Sequence, residues 1–254
     1  MKKLILLAVL VLAGCESKPT PTDKPAAQAL TPNATPTTPA PAMPSPETLA
    51  NDQNDLTGSW TGMFGPNKIT IVVDQASEGV LAGRSIVAGN DRPFKGTFAK
   101  VADEYQFEGK EPGDNPYDGT FKFKLDPDSP DKISGTWTPF KQGVASKKYE
   151  LKRRVFAYQP KSGDYAFVSL RLLKESDVEN LPPDELRIMR NEIYARHGYN
   201  FKNKDMRSYF DNQAWYMPWN TDVRGLLTAV EKKNEVLLKR YEKYNADYYD
   251  SFGR

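Results

Sequence analysis

The chain has 254 residues, with 35 lysines and arginines against 33 aspartates and glutamates and a net charge of +2. No strongly basic balance points to nucleic acid as a partner. A single cysteine and a single histidine exclude an internal disulfide and leave few ligands for a zinc site.

Residues 1–15 read MKKLILLAVLVLAGC. Lys2 and Lys3 precede an apolar run from Leu4 to Leu12, too short for a membrane-spanning helix of about 20 residues. The pattern predicts a secretory signal peptide over residues 1–14. Leu12-Ala13-Gly14-Cys15 resembles the bacterial lipobox. That resemblance implies cleavage before Cys15 and acylation of its thiol and new N-terminus by fatty acids such as palmitate. Two or more acyl chains anchor a protein stably, since each buried CH₂ contributes about 0.8 kcal/mol. Glu16 follows the cysteine, which by resemblance leans towards the outer membrane.

Residues 15–55 form the lipidated cysteine and a disordered Pro/Thr/Ala-rich tether. Residues 16–55 carry nine of the twenty prolines and no aromatic residue, so they bury too little apolar surface to offset ordering. Extended polyproline II at roughly 3.1 Å per residue gives a reach on the order of 120 Å.

In residues 56–155 the apolar period is two. Ile69, Ile71 and Val73 share one face, as do Phe121, Phe123 and Leu125, with Lys122 and Lys124 opposite. Tyr105 with Phe107, and Tyr149 with Leu151, repeat the alternation. Strands are predicted at 57–64, 68–74, 80–88, 94–100, 104–109, 118–125, 132–138 and 147–154. Turn signals at 65–67, 88–93 and 126–132 separate some of them. An antiparallel barrel or sandwich of seven to eight strands follows. Gly58-Ser59-Trp60 resembles the Gly-x-Trp that opens lipocalin-like barrels, where the tryptophan plugs one end; Gly135-Thr136-Trp137 repeats it. The inward set, Trp60, Tyr105, Phe107, Phe121, Phe123 and Trp137, is bulky enough to predict a filled interior. Glu108, Glu111, Asp114 and Asp118 lack the spacing of a calcium loop and are expected in a solvated loop.

Residues 156–254 switch to a helical period. Pro182 and Pro183 precede a helix on which Leu186, Met189, Ile193 and His197 share a sector flanked by Arg190 and Tyr194. Glu192 falls on a more exposed face and Arg196 near the apolar edge. Gly198 is the expected left-handed stop. Asn203 caps a short second helix that turns Met206, Tyr209 and Phe210 inward. After WYMPW at 215–219, Thr228 and Glu231 form a capping box for a last helix with Val230, Leu237, Leu238, Tyr241 and Tyr244 inward.

Within this part, the run RNEIYARHGY (190–199), with YF at 209–210 and WY at 215–216, resembles the YARHG domain over about residues 165–244. The resemblance implies a small extracytoplasmic bacterial domain and brings no assigned reaction.

The fold class expected is α+β in two domains: the barrel or sandwich, then a small mainly helical domain. Arg190, Asn191, Tyr194, Arg196, His197 and Gly198 form a structural motif. His197 at a helix C-terminus suits the dipole when protonated, Asp211 is a candidate carboxylate partner, and the motif's cations are expected to bond the 215–219 loop. No G-x-S-x-G elbow or His pair marks a catalytic centre. The function expected is a lipid-anchored, non-catalytic binding or scaffolding module of the bacterial envelope. Its partners would be the membrane through the lipid, and a wall polymer or another envelope protein. No cofactor, metal or nucleic acid is expected. Trp215, Tyr216, Trp219 and Arg196 are the candidate contact residues. The alternatives are a wall-modifying hydrolase and a carrier of a small apolar ligand through the barrel.

Overall fold

The computed structural model describes residues 56–252, with side chains to residue 247. The signal peptide, Cys15 and the tether lie outside the described residues. Eight strands close an antiparallel barrel in sequence order: β1 Gly58–Phe64, β2 Asn67–Ser77, β3 Val80–Val87, β4 Asn90–Val101, β5 Glu104–Lys110, β6 Gly119–Leu125, β7 Lys132–Pro139 and β8 Lys147–Arg153. β8 returns to pair with β1, Trp60 opposite Arg153. The sheet is therefore a barrel and not a sandwich.

Tight turns set the register. Glu78-Gly79 and Ala88-Gly89 each place two successive residues at positive φ, the conformation of two-residue hairpins. The second turn ends sooner than the Asn90–Pro93 polar run suggests, and β4 starts at Asn90, with Pro93 paired to Arg84. Side chains alternate as predicted. Phe107 and Phe123 stack at 4.7 Å, and Phe98 stacks on Phe107 at 5.5 Å. Phe94 lies over Gly83 and Gly109, where an added Cβ would come within 2.6 Å of its ring.

One end of the barrel is closed. Trp60 is buried there, its indole N–H donating to Pro130 O at 3.3 Å and its ring covered by the Arg153 guanidinium at 5.1 Å.

The rest of the described chain is a small helical part. It comprises α1 Phe167–Leu170, a 3₁₀ turn Glu175–Asp177, α2 Pro183–Arg196, α3 Lys204–Asp211 and α4 Ala229–Phe252. α2 packs along α4 through Leu186, Met189, Ile193 and Leu238. Asn203 caps α3 by accepting from Asp205 N and Met206 N, and Thr228 with Glu231 forms the capping box of α4. Tyr244, expected inward, is 67 % exposed, although α4 still meets the rest of the fold on either side of it, through Glu242 to Arg190 and Asn245 to Leu181.

The helical part covers the outer face of β2 and β3. Thr70, Val72 and Ile86 point outward by alternation yet are buried. Lys68 N donates to Asp211 Oδ2 at 2.9 Å, and Lys68 Nζ donates to Gln213 O at 2.6 Å and Tyr216 O at 3.1 Å. Arg154 donates to Ala214 O and Trp215 O, and Asn200 clamps the β3–β4 turn through Gly89 N and Asn90 O. Burial lowers the Lys68 ammonium to about 8 against the pull of Asp211, and burial raises Asp211 to about 6 against the Lys68 N–H.

Candidate functional site

The conspicuous motif builds an interior network. Arg196 is buried, 1 % exposed, and donates to Glu192, to Ser162 O at 2.8 Å and to Ser169 Oγ at 3.1 Å. Glu192, expected on the exposed face, is equally buried. Its carboxylate accepts the Asp164 and Tyr165 N–H groups as well as Arg196. Helical phase missed it because the segment before α1 folds over that side of α2.

His197 Nε2 stands 2.8 Å from Glu231 Oε2. The same carboxylate accepts Ser169 Oγ at 2.7 Å, Tyr158 Oη at 3.0 Å and Thr228 N at 2.9 Å, and the Tyr158 ring stacks on His197 at 4.4 Å. Burial pushes Glu231 up, but the His197, Ser169 and Thr228 donors outweigh it and hold the carboxyl at about 2. The partner of His197 is thus the capping-box acid and not Asp211, which serves the barrel contact. Ser169 donates to the carboxylate and not to the imidazole, so the trio lacks the serine-to-histidine hydrogen bond that activates a nucleophile.

Arg190 pairs with Glu242 at 2.7 Å, Tyr194 donates to Glu235, and Asn191 Nδ2 returns to Arg187 O at 2.7 Å. Gly198, at φ +74°, ends α2. The 215–219 loop meets the motif by the reverse of the expected bonds. Trp219 N and Asn220 N donate to Gly198 O at 2.8 Å, Asn220 Nδ2 donates to His197 O, and Tyr216 Oη donates to Tyr199 O. Loop donors satisfy the carbonyls at the end of the helix, which have no partners within it.

Those positions correct the candidate contact residues. Tyr216 is 1 % exposed and packs with Phe201 and Phe210. Trp219 stacks on Phe156 at 5.6 Å and carries Arg84 over its ring, Trp215 packs on Phe210, and Arg196 is internal. The aromatic loop is the seam between barrel and helices; Tyr216 and Arg196 are buried, whereas Trp215 and Trp219 stay partly exposed.

A cavity opens at the other end of the barrel. The connections β1–β2, β3–β4, β5–β6 and β7–β8 all lie there, and they surround a volume of about 440 Å³. The expected filled interior holds along the barrel but stops short of this mouth. The inward rows end in polar groups: Asn67 on β2, Ser85 on β3, Arg92 on β4, Glu111 beyond β5 and Lys147 on β8. Phe64, Phe121 and Trp137 form the aromatic wall, and Arg207 of α3 reaches the rim.

Glu111 and Asp118, expected in a solvated loop, are buried at 7 % and 1 % exposure. Asp118 accepts both Arg92 Nε at 3.0 Å and Nη2 at 2.7 Å, together with Gly113 N. Burial pushes Asp118 up, but Arg92 and the Gly113 and Asn115 N–H groups hold it below its ordinary value. Glu111 accepts Ser85 Oγ at 2.8 Å, Gly119 N at 2.8 Å and Trp137 Nε1 at 3.3 Å. No cation is among these partners, and burial raises its carboxyl. Glu108 and Asp114 do stay on the surface, paired with Lys122 and Arg92. Among the described residues no cluster of three or more acids, histidines or cysteines is placed to hold a metal. Sequence reasoning missed Glu111, although the alternation of Tyr105, Phe107 and Gly109 carries inward to it.

The architecture is thus a closed eight-stranded barrel, open to solvent at one mouth, braced by a helical domain built on a buried ion-pair network. The helical part is a YARHG domain, whose family model matches residues 164–253; the barrel precedes that match. No curated protein and no solved structure matches the chain.

Proposed function

We propose that this protein is a lipid-anchored module of the bacterial envelope that binds a small polar ligand in the mouth of its barrel and catalyses nothing. The observation that carries the reading is the mouth itself: about 440 Å³ lined by aromatic rings and by buried or half-buried charges. That volume lies within the roughly 300–1,000 Å³ of small-molecule sites, which combine apolar walls with a few placed polar groups. The charged lining favours a polar ligand over a small apolar one. The YARHG domain acts as a brace: it holds β2 and β3 from outside and contributes Arg207 to the rim. The lipobox-like start and Pro-rich run of the sequence support the membrane address, with an outer-membrane leaning from Glu16.

Two measurements test this. A muramidase digest of cell wall and a panel of amino acids are titrated into the full-length protein and followed by thermal shift. A stabilised transition that disappears in Val87→Trp, which fills the mouth, supports the reading. No shift, or an equal shift in Val87→Trp, counts against it. For the address, Cys15→Ser should move the protein from the membrane pellet to the soluble fraction, and retention in the pellet would refute lipid anchoring.

A further inference from the structure

Among the described residues, the mouth holds two opposite charges without an ionic partner. Glu111 is buried, and among the described residues no lysine or arginine pairs with its carboxylate; the neighbouring Asp118 takes Arg92 instead. Its three donors, Ser85 Oγ, Gly119 N and Trp137 Nε1, are all neutral. A buried carboxylate without a counter-charge is costly, and a ligand cation relieves the cost.

Lys147 is the complementary case. Its ammonium lies 4.6 Å from the Phe64 ring centre and 5.4 Å from that of Trp137, half-buried among apolar carbons. It makes no hydrogen bond or ion pair among the described residues, and burial lowers its proton affinity. Arg207 stands on the same rim, donates to Lys202 O and makes no ion pair among the described residues.

Trp137 ties the two together, because its N–H edge faces Glu111 and its ring carries Lys147. The two charged groups thus adjoin one indole and do not touch each other. An α-amino acid carries both charges on one short frame: two hydrogen bonds of about 2.8 Å and its own N–Cα–C unit reach roughly 8 Å.

We infer that the mouth recognises an amino-acid-sized zwitterion, its ammonium on Glu111 and its carboxylate on Lys147 and Arg207, with the side chain against Phe64, Phe121 and Trp137. The inference rests on the mouth being the ligand site and names the class of ligand. It makes binding depend on both charges at once, which neither an amine site nor an anion site would.

The test uses the full-length protein and three probes that share one phenyl body: phenylalanine, phenethylamine and 3-phenylpropionate. Binding is read from the Trp137 indole N–H resonance, assigned with Trp137→Phe. Phenylalanine should bind roughly tenfold or more tightly than either half, the worth of one charge-assisted hydrogen bond. Lys147→Gln should weaken phenylalanine towards the affinity of phenethylamine while leaving phenethylamine unchanged, and Glu111→Gln should reduce it to that of 3-phenylpropionate. Should Glu111→Gln fail to fold, Lys147→Gln decides, because the Lys147 ammonium makes no hydrogen bond or ion pair among the described residues. Either half-ligand binding as tightly as phenylalanine overturns the zwitterion while leaving the mouth as the site. Absence of any Trp137 response to all three probes also overturns it, and the Val87→Trp comparison with wall digest then judges the mouth separately.

Discussion

Replacing Glu231 by alanine removes the acceptor on which the YARHG network converges. His197, Ser169, Tyr158 and Thr228 N all donate to this one carboxylate. Thr228 is exposed and Tyr158 is 36 % exposed, so those two rehydrate. His197 and Ser169 are only 6 % and 8 % exposed and are left wanting partners, at about 1–3 kcal/mol each. Loss of the capping box adds about 1 kcal/mol. The expected cost is therefore about 3–7 kcal/mol, a large part of the roughly 5–15 kcal/mol that holds a domain together. In a protein of this size the melting temperature should fall by roughly 6–28 °C. Acid titration gives an independent reading. Glu231 is held at about 2 in the fold against an ordinary value near 4.3, so its contribution is present above that value and is lost as pH falls to about 2. Integrated, that contribution is about 3 kcal/mol. Urea unfolding of wild type and Glu231→Ala at pH 7, 4 and 2.5, followed by circular dichroism, measures both effects. A difference below about 1 kcal/mol at pH 7, or one that does not shrink towards pH 2.5, would refute the reasoning.

Asp211→Asn keeps an acceptor for the Lys68 N–H but removes a carboxyl raised to about 6 by burial. Wild-type stability from this group should fall as pH rises from about 4 through 6, by about 3 kcal/mol, and the variant should lack that slope in urea titrations. Arg196→Ala leaves Glu192 buried beside two backbone donors but without its cation. It should cost about 3–5 kcal/mol by chemical denaturation. Gly198→Ala forces a side chain onto φ +74° and into Phe156 and Trp219 at 2.6 and 2.8 Å, whereas Gly143→Ala, at φ +79°, meets open space. The first should lower stability by about 3 kcal/mol or more and the second by about 1 kcal/mol, as melting curves can compare.

What the sequence determined was everything local. Alternation placed Ile69, Ile71, Phe121 and Phe123 inward and located all eight strands to within a few residues. Gly198, Asn203 and the Thr228–Glu231 box stop and start helices through contacts a few residues long. The YARHG letters were specific for the same reason, since they repeat as a linear pattern.

What only the tertiary structure decided was the use of the charged and aromatic side chains. His197 finds Glu231, 34 positions later, and Lys68 finds Asp211, 143 positions later. Tyr216 and Trp219 look like contact residues along the chain and become the seam between barrel and helices. Glu111 reads as a loop acid until closure of the barrel turns it into the mouth. The physical reason is that backbone geometry is set by neighbours in sequence. The partner and desolvation of a charge are set by whatever the closed fold brings beside it.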